Sequence, residues 1–179
     1  MSTTLVIDCE NIDSVLGQIL GHKPTGHERL QYVGIQLWFR KTLSEPVKAF
    51  AVVREGQMEH RKKSMKFWGA LRYLQFHIVF AESFAARNNL CRADSREVVD
   101  HAVSHLLANA SSDNLVYIGH DFYAAESLAQ QKERGSRVFA AGFPEFLSAR
   151  VIDVVEEVYD LEREVGAFLI PLPRLDLAP

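Results

Sequence analysis

Four residues that could place oxygen ligands around a hard cation come from three separate parts of the chain: Asp8 with Asn11, Asp100, and Asp121. Carboxylate and amide oxygens of this kind suit Mg²⁺ or Mn²⁺. An ion held by them can activate water and steady the charge on a phosphodiester during in-line attack. Each acid also has a plainer role open to it. Asp8 and Asp121 both precede a helical stretch and could serve as its cap, so cap and ligand stand as alternatives for each.

The elements that would bring these residues together follow from hydrophobic spacing. Thr3–Asp8 is β-branched and apolar without helical period, so it reads as a short buried strand ending in Asp8. Further strands are expected at Val47–Arg54, Phe76–Phe80, Leu115–Gly119 and Arg137–Ala141, the last after a stop at Gly135. Helical stripes run through Asn11–Leu20, Leu30–Leu43, Glu59–Leu74 and Tyr123–Arg134, and a polar loop carries Arg87, Asn88, Asn89 and Arg92. The clearest helix is Asp94–Ala110, with Asp94 as cap, Glu97 completing a capping box, and Val98, Val99, Ala102, Val103, Leu106 and Leu107 as the stripe. Asp100 falls at the margin of that stripe, able to point along the sheet edge. Phe146–Leu161 reads as helix or a short strand.

Strands alternating with helices predict one α/β domain, Rossmann-like, with a mostly parallel central sheet flanked by helices over residues 1–165 and an extended Pro-containing tail over 166–179. In such sheets ligands bind beyond the carboxyl ends of the strands, where strand order reverses. Asp8 ends the first strand and Asp121 follows the fourth, so both are expected at that edge.

With 179 residues and 47% apolar content the chain can fill a sizeable core. No run approaches the apolar length of a membrane span, so no membrane partner is expected. Cys9 and Cys91, the only cysteines, form neither a disulfide framework nor a metal knuckle, which suggests a cytoplasmic setting. The net charge of −3 hides an asymmetry: Arg40 to Arg72 holds nine Lys/Arg against three Glu, and Asp153 to Glu164 holds six acids against one Arg. A local basic face can grip a phosphate backbone whatever the total charge. Arg61, Lys62, Lys63 and Lys66 sit early in their helix, where positive charge opposes the helix dipole, so contact with RNA is weighed against a solvated face.

Two histidines, His101 and His105, are four apart, but His105 lies on the flank of the helix opposite Asp100 and the pair reads as solvated. Glu10 is a supporting acid beside Asp8, and Asp13 a first-turn helix charge.

The motifs resemble those of NYN domains in the PIN-like nuclease superfamily. VIDCENI (Val6 to Ile12) is similar to the family's strand-end D-x-x-N, EVVDHAVSHLL (Glu97 to Leu107) to its V-D helix, and NLVYIGHDFYAAESL (Asn114 to Leu128) with GSRVFAAG (Gly135 to Gly142) to its S-G-D-S-D-F strand, helix and closing strand. The resemblance is collinear over about residues 3 to 162. It implies a Mg²⁺- or Mn²⁺-dependent endoribonuclease with Asp8, Asp100 and Asp121 on the metal and Asn11 orienting the site. The third motif is one residue short. Anchored on D-F it makes Asp121 the ligand; anchored on Gly119 it puts His120 there, a nitrogen donor that would favour Mn²⁺. The family's lysine before V-D is absent, with Glu97 in its place, and a further acid on that helix is replaced around Ser104 and His105. The alternative is a catalytically silent module that binds RNA or a protein partner, or assembles as a homo-oligomer.

Overall fold

The computed structural model describes residues 1–173 except 44, 45, 57 and 96, and the side chains of 58–63 also fall outside the description. Six strands form one parallel sheet: β1 (Thr3–Asp8), β2 (Val47–Val53), β3 (His77–Phe80), β4 (Asn114–Ile118), β5 (Arg137–Gly142) and β6 (Glu157–Asp160). Their order is β3-β2-β1-β4-β5-β6, so the chain reverses direction of travel between the neighbours β1 and β4. That is the switch point of an open α/β sheet.

The strands are apolar on both faces because helices cover both. In β1, Leu5 and Ile7 face one layer and Val6 the other; in β4, Val116 and Ile118 oppose Leu115 and Tyr117. The period of two thus divides one apolar run between two cores. The first core takes α1 (Cys9–Leu20), α2 (Tyr32–Thr42) and α3 (Met58–Tyr73) through residues such as Ile12, Ile35, Phe39 and Leu71. The second takes α4 (Ala81–Arg87), α5 (Val98–Ala108), α6 (Ala124–Glu133) and α7 (Ala149–Ile152) through Ala85, Val99, Val103, Leu128 and Val151.

Three local expectations change. The capping box of α5 does not form. Ser95 Oγ accepts the Glu97 N–H at 3.2 Å, the helix starts only at Val98, and Asp94 lies in a turn paired with Arg92 at 3.4 Å. Residues 81–87 are helical, so the polar loop begins only after Arg87. Ala81 and Ala85 bury one side of that helix, and Leu90 N–H closes back on the Ala85 carbonyl after Asn89 turns left-handed (φ 52°). Residues 146–161 hold both of the alternatives, α7 and then β6. Beyond β6, Ala167 and Leu172 are buried; the Ala167 carbonyl accepts Gln31 N–H at 2.8 Å, and Leu172 joins Val15, Leu16 and Phe143 in a small cluster. Among the described residues no helix is long and apolar enough to cross a membrane.

Candidate functional site

Asp8 sits where β1 gives way to α1, and it does cap that helix: Oδ1 accepts the Asn11 N–H at 2.9 Å. Its other oxygen, Oδ2, accepts the hydroxyl of Tyr123, which arrives from the start of α6. Asp8 is only 1% exposed. Burial pushes its carboxyl up to about 6, against the pull of the Tyr123 and Asn11 bonds, and the charges of Asp121 and Asp100 push the same way.

The Asn11 side chain crosses the switch point. Its Nδ2 donates to Asp121 Oδ2 at 2.7 Å, while its Oδ1 accepts both the backbone N–H (2.9 Å) and Nδ1 (2.8 Å) of His120. An amide gripped on its oxygen in this way has its nitrogen aimed at Asp121. Asp121 is exposed and does not cap α6, whose first turn has no side-chain cap.

His120, the other possible ligand, acts as an internal brace. It is 3% exposed, and its Nε2 accepts the Phe143 N–H at 2.9 Å. That backbone donor makes Nε2 the acceptor, so Nδ1 carries the proton donated to Asn11. Both ring nitrogens are committed and neither is free for a cation. Burial lowers its pKa to about 4, so the ring is neutral. It stacks on Phe143, rings parallel within 1°. Gly142 provides the room: a Cβ there would stand 2.8 Å from His120 Nε2 and 2.8 Å from Leu147 Cδ1.

Asp100, in the first turn of α5, is half-buried; burial raises its pKa, and Asp121 and then Glu97 add to that. It lines an open cleft of about 800 Å³ between α5, α6 and α7, together with His101, Phe122, Tyr123, Glu126 and Arg150. Asp8, Asp100 and Asp121 therefore lie near enough to feel one another's charge. Among the described residues, no three His, Cys, Asp or Glu side chains are yet placed to share one ion. The donor chemistry suits a hard cation, and Asp8 Oδ2 already accepts the Tyr123 hydroxyl.

The other candidates divide. Glu10 pairs with Arg54 at 3.3 Å, and burial raises its pKa with Asp100 among the contributing charges. Asp13 pairs with Arg29 at 3.3 Å. His101 lines the cleft 3.7 Å from Glu97, whereas His105 packs against Phe84, so the two histidines share no site. Arg61, Lys62 and Lys63 fall in α3, whose start follows the carboxyl end of β2, but their side chains lie outside the described residues; Lys66 is exposed.

Sequence reasoning missed two tyrosines, Tyr117 and Tyr123. Tyr117, in β4, is fully buried, and its hydroxyl accepts Asp121 N–H at 3.3 Å and bonds to that of Tyr123. A Cβ on Gly119 would collide with the Tyr117 hydroxyl. The available signal was a phenol in an otherwise aliphatic buried strand, since its O–H must find a partner at one end.

No known family and no curated protein matches this chain. Its structure is similar to the crystal structure of a protein of unknown function, VPA0982 from Vibrio parahaemolyticus RIMD 2210633, with a TM-score of 0.63 over 89% of this chain and 92% of that one. At 15% identity the likeness is one of fold, and it places this chain among α/β proteins with a parallel sheet.

Proposed function

We propose that this protein is a divalent-metal-dependent endoribonuclease of the NYN/PIN-like kind. The observation that carries the reading is the pairing across the switch point: Asp8 ends β1, Asp121 follows the adjacent β4, and the two are joined through Asn11, with Asp100 reaching the same edge from α5. Asp100 and Asp121 would hold Mg²⁺ or Mn²⁺, joined by Asp8. The ion would supply an activated water and charge neutralisation at the phosphodiester. Asn11 orients Asp121, and His120 orients Asn11. The basic residues early in α3, Arg61, Lys62, Lys63 and Lys66, would hold phosphates. Two free cysteines, Cys9 buried and Cys91 half-buried, suit a reducing cytoplasm.

Asp121→Asn tests the reading. It removes a charge at an exposed position while retaining an oxygen for Asn11. Cleavage of labelled RNA by the wild type should require Mg²⁺ or Mn²⁺ and should fall at least about a hundredfold in the variant, with an unchanged circular dichroism spectrum. Absence of cleavage by folded wild type in either metal would overturn it. The second reading, a silent module that binds RNA or a protein, is favoured by one observation: the Tyr123 hydroxyl occupies an oxygen that a metal would need.

A further inference from the structure

Phe122 follows Asp121 directly and opens α6, its carbonyl accepting the Ala125 N–H at 3.1 Å. Although aromatic, it is 59% exposed. Its ring lines the cleft beside Asp100, and the Arg150 guanidinium from α7 lies over it, 5.4 Å from the centroid. A second aromatic, Phe146, is 36% exposed nearby and meets His120 edge-on. A flat ligand laid on the part of this ring that Arg150 leaves exposed would remove apolar area from water and so gain free energy.

The charge of the cleft decides what that is. Among the described residues, Glu97, Asp100, Glu126 and Asp153 face it alongside a single arginine, so a phosphate entering it would meet net repulsion. A nucleobase carries no charge and offers a π-face to an aromatic ring and to a guanidinium alike. Resting on the ribonuclease reading, we propose that Phe122, backed by Arg150, is a stacking platform for an unpaired base of single-stranded RNA, placing the flanking phosphodiester beside Asp121. The base enters the cleft and the backbone stays outside it. Every base has a π-face, so the platform is tolerant of sequence.

Binding of a short fluorescein-labelled single-stranded RNA in EDTA, followed by anisotropy across salt concentrations, tests this without chemistry. Phe122→Ala should weaken binding about 5- to 150-fold. The slope of log affinity against log salt should stay at the wild-type value, because no phosphate contact is lost. Phe122→Trp should restore affinity, and its added indole fluorescence should be quenched by RNA, measured against the wild-type background of Trp38 and Trp68. Equal unfolding midpoints would show that the fold is intact, as exposure of this side chain leads one to expect. Wild-type affinity in Phe122→Ala, or an introduced indole that stays unquenched on bound RNA, would overturn the platform alone. Failure of the wild type to bind RNA at all would overturn the ribonuclease reading and the platform with it.

Discussion

Asp8→Asn should stabilise the fold at neutral pH while abolishing any metal-dependent cleavage. The side chain is 1% exposed and its carboxyl lies at about 6 rather than its ordinary 3.8. The native state therefore holds a proton on Asp8 more tightly than the unfolded chain does. Between those two pH values, rising pH strips the proton from the unfolded chain first, and native stability falls; above about 6 the loss is complete, and below 3.8 it is absent. At about 1.36 kcal/mol per pKa unit the cost at about pH 7.5 is about 3 kcal/mol. Asparagine avoids it and keeps the local bonds. Its oxygen can still accept the Asn11 N–H as a cap of equal rank, and its amide can donate to the Tyr123 oxygen. For a chain of this size, about 3 kcal/mol raises Tm by about 6–12 °C. Thermal and urea unfolding at pH 7.5 and pH 4 provide the measurement, with the gain shrinking below about 1 kcal/mol at pH 4. A variant less stable than wild type at pH 7.5, or one whose gain is the same at both pH values, would refute the reasoning, because the buried charge would then not be the source.

Tyr123→Phe removes the donor to Asp8 Oδ2 and should cost about 1.5–3 kcal/mol at pH 7.5 by urea unfolding, the usual value for a bond to a charged partner. The same variant should bind Mn²⁺ more tightly, read as loss of the free-ion electron paramagnetic resonance signal; unchanged affinity would mean that Asp8 does not reach the ion. Gly142→Ala drives a methyl onto His120 Nε2 and Leu147 Cδ1 and should lose about 1–3 kcal/mol, measured by urea titration, with a neutral result showing that the His120 pocket yields freely.

The architecture was legible because the strands are uninterrupted apolar runs and the helices are striped, so period alone separates β1, β2, β4 and β5 from α1, α3 and α6. Shorter elements were less so. α4 has only two buried alanines to mark it, and β6, with a single fully apolar residue among Glu157, Val158, Tyr159 and Asp160, offers no run to read. The Asp94–Glu97 capping signature was present but lost to a competing local bond from Ser95, a contest that spacing does not resolve. At the site, the places of Asp8 and Asp121 followed from topology. The role of His120 did not. Its neighbour Asn11 is 109 residues away and its other partner, the Phe143 backbone, is available only because Gly142 leaves room. Tyr123 escaped notice for the same reason: its hydroxyl meets Asp8 across 115 residues.

The single acid after β4 acquires a physical sense from this network. Directly before Asp121, a neutral imidazole braces Asn11 and adds no charge of either sign near neutral pH. Among the described residues no Lys or Arg forms an ion pair with Asp8, Asp100 or Asp121; the nearby arginines pair with Glu10 and Asp13 instead. Neutral donors from Asn11 and Tyr123 partly relieve Asp8, yet burial and the two neighbouring carboxylates still hold its pKa up. Among the described residues, then, the acidic charge at the switch point is not balanced by ion pairs. Asp8→Asn would remove part of that charge by mutation. A divalent cation would offset it by binding, and the stability cost of keeping Asp8 ionised is the reason a metal, when supplied, should raise Tm in the wild type more than in the variant.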